Sequence, residues 1–207
     1  MKIYLMRHSE SQDDLINCYG GMADWDLTEG GIKTVEKFRS TFENFGVEKI
    51  YTSPLKRAWK TAELLNEKSQ ISIEKIFELH ETPHYGYLTG LEKGLAKELF
   101  AYAMDRSEWQ NTGYYNRKCF PGGETPDDLD KRVEYAIGKI LKDGIGDKDS
   151  LRAIAIVAHG GVIRSFFWNV LKDKRKITDI KDVACAEIIF DEGKFKLVKC
   201  TGFEFED

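Results

Sequence analysis

Three times along this 207-residue chain, a short apolar run stops abruptly at a polar turn and a helix start. Ile3 to Met6 gives way to Arg7-His8-Ser9, Lys49 to Thr52 to Ser53-Pro54, and Ala153 to Ala158 to His159-Gly160-Gly161. Apolar runs bounded in this way read as buried strands, and strands buried on both faces belong to parallel sheets covered by helices. The pattern predicts an α/β fold, a three-layer α/β/α sandwich with a mostly parallel sheet. In open sheets of this kind, ligands bind outside the carboxyl ends of the strands.

The remaining segments fit that plan. Ile71 to Phe77 reads as another strand, and Val183 to Phe190 with Phe195 to Cys200 reads as a C-terminal hairpin around Asp191-Glu192-Gly193-Lys194. Thr28 and Glu29 precede a helical spacing of Ile32, Val35, Phe38, Phe42 and Phe45 that ends near Gly46. Pro54 opens a second helix with Leu55, Ala58, Trp59, Ala62 and Leu65, and a third runs from about Thr125 through Leu141. A fourth follows Gly160-Gly161 to Leu171. The span from about 89 to 120 breaks the alternation with a helical patch at Leu95 to Met104 and an aromatic stretch, Trp109, Tyr114, Tyr115 and Phe120. It is expected to be an insert or lid within one domain spanning residues 1–207.

A net charge of -4 argues against a nucleic-acid or anionic-membrane partner, although it says little about one local cleft. No apolar run approaches the ~20 residues a bilayer requires. Arg7 and His8 interrupt the only N-terminal apolar stretch, so no signal peptide is read, and the four scattered cysteines are expected to be reduced thiols. A cytoplasmic location is the expectation. Oligomeric state is not legible.

The three strand ends bring two arginines, two histidines and a set of helix-start N–H groups to one edge. Arg7 and Arg57 have the planar fork that holds an oxyanion, His8 is a nucleophile or proton carrier, and Gly160 and Gly161 allow close backbone approach. Taken singly, each has an ordinary structural reading; their common placement is what points to chemistry on a phosphate.

Arg7-His8-Ser9-Glu10-Ser11 resembles the Arg-His-Gly-Glu-Thr signature of the histidine phosphatase (phosphoglycerate mutase-like) superfamily. Leu27 to Gly31, Ser53 to Ala58 with Thr61-Ala62, Gly122 to Thr125 and His159 to Arg164 resemble its later blocks in order, from Met1 to about Trp168. The resemblance implies a phosphatase-type member, a metal-independent phosphomonoesterase without cofactor that acts on a small-molecule phosphate ester. His8 would become a phosphohistidine, while Arg7, Arg57, His159 and the Gly160 N–H hold the non-bridging oxygens. Guanidinium groups beside the ring would disfavour imidazolium by about a few kcal/mol, keeping His8 nucleophilic.

Leu79-His80-Glu81 fits the family's Leu-x-Glu pattern, which makes Glu81 the general acid, although Gly86 follows one residue late. Ser9 replaces a glycine, Asp14 stands where asparagine is common, and Cys18 and Gly20 stand where mutase-type members resemble each other in Arg and Gln. Asn17 is a candidate substitute amide contact. Trp109, Tyr114 and Tyr115 are candidate substrate contacts, with a core role slightly preferred. Thr125 reads at least equally as a helix cap.

Three alternatives stand beside this reading. His80-Glu81-Thr82-Pro83-His84 matches H-E-x-x-H, but that zinc motif requires a helix, which Pro83 opposes. A phosphoglycerate mutase-type transfer is the runner-up; mutases resemble the chain but carry a longer insert, whereas Glu81 and Glu124 lie only 43 positions apart (124 minus 81). A phosphate-binding protein without turnover is the remote third.

Overall fold

The computed structural model describes residues 1–106, 114–116, 118–145 and 150–206. The strands are β1 (Lys2–Arg7), β2 (Lys49–Thr52), β3 (Ser72–Lys75), β4 (Ala153–Ala158), β5 (Ile177–Asp191) and β6 (Lys194–Phe205). They form one sheet in the order β3-β2-β4-β1-β5-β6, parallel from β3 to β1 and antiparallel from β1 to β6. A mixed α/β sandwich with a C-terminal hairpin is therefore the architecture.

Alternation along β1 sends Ile3 and Leu5 to one face and Tyr4 and Met6 to the other, and all four are buried. The Tyr4 face is covered by α2 (Glu29–Glu43) and α3 (Lys56–Asn66) through Val35, Phe42, Ala58, Ala62 and Leu65. The Ile3 face is covered by α5 (Pro126–Gly144) and α6 (Gly160–Ser165) through Leu129, Val133, Ile137 and Ile163. Each fully buried side chain of this size contributes about 1.5–3 kcal/mol through removal from water. Thr28 caps α2 by accepting Gly31 N–H at 2.8 Å, and Thr125 caps α5 by accepting Asp128 N–H at 3.2 Å. The capping reading of Thr125 holds.

Five elements differ from expectation in their boundaries. The strand read over Ile71 to Phe77 is only Ser72–Lys75, because its partner β2 offers just four residues; Phe77 passes into a 3-10 turn, Phe77–Leu79. The helix after Pro54 starts at Lys56, with extended Leu55 as its N-cap. The fourth helix is α6 followed by a π turn, Phe166–Val170, and both hairpin strands run longer than predicted.

The insert contains α4 (Lys93–Arg106), kinked at Phe100, and a 3-10 turn at Tyr114–Asn116; a single turn, α1 (Gln12–Leu15), follows β1. Tyr19, Leu88, Ala96 and Phe120 form a small core of their own. Its neck is closed by backbone bonds: Phe120 N to His84 O at 2.8 Å and Tyr87 N to Pro121 O at 3.1 Å. Among the described residues no helix is long and apolar enough to cross a membrane.

Candidate active site

The sheet register aligns the three strand ends. Arg7 pairs with Ala158 and Thr52 with Val157, and His8 N and Ser53 N extend the ladder to Ala158 O and Val157 O, both at 3.0 Å. Beyond them lies a cavity of about 270 Å³ whose wall includes Arg7, His8, Arg57, Glu81 and Gly160. Five residues singled out from the sequence therefore share one cavity.

His8 is only 5% exposed yet contributes to that wall. Burial holds its imidazole well below the ordinary value, and Arg7 and Arg57 push the same way, against the opposing hydrogen bond with Ser9. Burial outranks the arginines that the sequence suggested as the cause. Nδ1 lies 2.7 Å from Ser9 O. A carbonyl only accepts, so Nδ1 of the neutral ring carries the proton and Nε2 keeps its lone pair.

Arg7 is aimed by β5: Nη1 donates to Ile180 O at 2.6 Å and pairs with Asp182 at 3.4 Å. The strand is irregular there, with Val183 at φ 48°, a left-handed conformation that β-branched residues rarely adopt. Arg57 is 2% exposed and spends part of its fork on Ala23 O (2.7 Å) and Gly21 O (2.8 Å). It thus fixes the loop over the cavity as well as lining it.

His159 is fully buried beside His8, with ring centroids 5.0 Å apart. Burial, then Arg57 and His8, depress its basicity. Its Nε2 is 2.7 Å from Ser53 Oγ, which also accepts Leu55 N–H at 3.2 Å. A hydroxyl donates or accepts, so this contact is compatible with either tautomer, and the buried Nδ1 has no partner among the described residues.

Glu81 accepts Thr82 N–H at 2.8 Å and Gly161 N–H at 3.1 Å. A Cβ on Gly161 would stand 2.5 Å from both Glu81 Oε1 and Thr82 Cγ2, which explains the glycine. Gly161→Ala is expected to displace Glu81 and lower kcat by about tenfold or more, given the sensitivity of reaction rates to misplacements near 1 Å. Steady-state kinetics on the purified variant checks this.

The Glu81 loop hangs from α5. Arg132 donates to Glu78 O at 2.6 Å and His80 O at 2.9 Å while forking onto Glu124 at 2.7 and 2.6 Å. The Gly-Glu-Thr block is thereby accounted for by anchoring and capping. Residues 80–84 are not helical, so His80 and His84 do not share a helix face as H-E-x-x-H requires.

Other expectations changed. Asn17 is not on the cavity wall; its Oδ1 accepts Lys93 Nζ at 2.9 Å, and Lys93 lines the cavity instead, because α4 packs back on that loop. The preferred core reading of Tyr114 and Tyr115 holds, since Tyr114 is buried in the core of the Ile3 face and Tyr115 packs against it, while both also border an adjoining cavity; Trp109 lies outside the described residues. Arg164 went unassigned, yet it lines both cavities. Its place four residues after Gly160 was the available signal, since helical side chains lean back towards the N-terminus.

His8, His80, His84 and His159 all have lowered pKa values, with burial the first cause each time. Unfolded imidazoles titrate near 6.5, so below that pH the unfolded chain takes up protons that the folded chain refuses. Stability is expected to fall on acidification, by up to about 1.4 kcal/mol per pH unit for each histidine. Thermal melts between about pH 7.5 and 5.5 check this; a constant Tm would contradict it.

Fold and site together define an α/β protein that places arginines and a histidine of lowered pKa on the wall of a cavity at the sheet's carboxyl edge. The sequence family described as the histidine phosphatase superfamily, branch 1, matches residues 3–201. The chain belongs to that superfamily. It is 39% identical over 233 aligned positions to a 2,3-bisphosphoglycerate-dependent phosphoglycerate mutase from Streptococcus sanguinis (strain SK36), covering 96% of the chain and 97% of the relative. Matches to other curated mutases span only 104 or 105 residues, and 42 to 45% of those proteins' length. Among solved structures, it is similar in fold to the phosphoglycerate mutase of Bacillus anthracis str. Sterne (TM-score 0.80, 19% identity, 98% of this chain and 92% of that one). The alpha-ribazole phosphatase of Shigella flexneri has a TM-score of 0.78 at 21% identity, over 97% and 96% of the two chains.

Proposed function

We propose that this chain is a phosphomonoesterase that hydrolyses a small phosphate ester through a phosphohistidine on His8. The observation that carries this reading is the neutral His8 ring, tautomer fixed by Ser9 O, on a wall shared with Arg7, Arg57 and Glu81. Nε2 attacks phosphorus, the bond to the leaving oxygen breaks, and protonated Glu81 gives its proton to the departing alkoxide. Glu81 then takes a proton from water as that water attacks phosphorus; the P–N bond breaks and inorganic phosphate leaves. Arg7, Arg57, the Gly160 N–H and His159 receive the charge on the other oxygens. The reading requires no metal, so activity is expected to survive a chelator.

Glu81→Gln removes the proton donor. Its kcat/KM is expected to fall about 10²–10⁴-fold on alkyl phosphates and far less on nitrophenyl phosphate, whose leaving group needs no proton. Equal losses on both substrates would count against the acid role.

The mutase relative favours a second reading, return of the phosphoryl group to a phosphoglycerate. Against it, Asp13 and Asp14 share the cavity wall with Cys18 and Gly20, an unfavourable setting for a second anion there. Parallel measurement of released phosphate and isomerised phosphoglycerate decides between them.

A further inference from the structure

A second cavity, of about 410 Å³, adjoins the first, and Glu81, His84, Tyr85 and Arg164 line both. Its size falls in the range of about 300–1,000 Å³ for pockets that take drug-sized ligands, and a three-carbon leaving group would leave most of it empty. Because Glu81 belongs to both walls, a phosphate beside His8 would have its bridging oxygen near the junction and its leaving group in the second space.

The lining of that space is aromatic and held in place. Tyr114 OH donates to Asp130 at 2.5 Å, Tyr115 Oη accepts Ile177 N–H at 2.8 Å, and the Tyr85 ring lies 3.9 Å from that of His84. Rings fixed before the ligand arrives bind a planar group at little entropic cost. The charge of the two cavities also differs. Asp13, Asp14 and Asp179 line the first, whereas Glu81 is the sole carboxylate among the described residues of the second, against Arg164 and Lys176. Burial pushes the pKa of His84 down, against acquiring a charge. Arg164 Nε donates to Ile177 O at 3.3 Å, and no carboxylate among the described residues lies within ion-pair reach of its guanidinium. Lys176 is shared with Glu206 at 2.7 Å in an exposed pair, of a kind that contributes little and is readily remade.

We infer that the second cavity is the leaving-group subsite, and that it takes a ring-bearing alcohol carrying an acidic substituent, received by Arg164 and Lys176. This rests on the phosphatase reading for its orientation, but the binding itself is separately measurable. Benzylphosphonate, which cannot be hydrolysed, is compared by calorimetry with its 4-carboxy and 4-aminomethyl derivatives; the matching benzyl phosphates are assayed for turnover.

The 4-carboxy compound is expected to bind about tenfold or more tightly than the parent, and the 4-aminomethyl compound more weakly, from one charge-assisted contact. Arg164→Gln should erase the preference, Arg164→Lys should restore part of it, and Lys176→Gln should reduce it. Equal binding of the three phosphonates by the wild-type protein overturns the subsite, as does a preference that survives Arg164→Gln. An Arg164-dependent preference without hydrolysis of any benzyl phosphate leaves the subsite standing and removes the phosphatase reading instead.

Discussion

His8→Ala is expected to abolish turnover, with a loss on the order of 10⁴-fold or more, the scale seen when a catalytic nucleophile is removed. In the proposed mechanism the ring contributes both the attacking atom and the site of the covalent intermediate, so no neighbour substitutes for it. His159 is the nearest alternative imidazole, at 5.0 Å between centroids, but its Nε2 is engaged by Ser53. Acid-labile phosphate trapped on the wild-type protein by rapid quench should be absent from the variant. Circular dichroism of the variant separates lost chemistry from lost folding, and retained activity would falsify the nucleophile assignment.

Arg57→Ala is expected to lower kcat/KM by about 10²–10³-fold, the scale of losing a preorganised donor to transition-state charge. Two effects combine there. The phosphoryl group loses a cation, and the carbonyls of Ala23 and Gly21 lose their donors, so the loop over the cavity slackens. Arg57→Lys should rescue little, because an ammonium cannot serve both carbonyls and an oxyanion with a planar fork. Kinetics together with a lower Tm in both variants is the signature; an unchanged Tm would mean the loop bonds are dispensable.

Much of this site was legible because the strand ends are local signals. An apolar run, a polar stop and a glycine or proline turn each occupy a few neighbouring residues, and Arg7, His8, Arg57, His159 and Gly160 follow from them. What the sequence concealed depends on distant parts of the chain. That burial dominates the His8 pKa requires knowing what packs around the ring. The Arg132 fork joins residues 78, 80 and 124, a contact without periodicity or motif spacing. Asn17 was misread because α4 folds back and claims its side chain through Lys93. The second cavity was invisible for a similar reason, since Tyr115 and Ile177 meet only in space.

The neck bonds between His84 and Phe120 and between Tyr87 and Pro121 tie the two ends of the intervening segment together, while Arg132 clamps the Glu81 loop to α5 by separate bonds. Backbone pairing at the neck is indifferent to what is spliced in beyond it. Descendants of such a chain can therefore vary that stretch while the Glu81 loop keeps anchors of its own. Diversification of substrates within one scaffold then requires no reinvention of its chemistry.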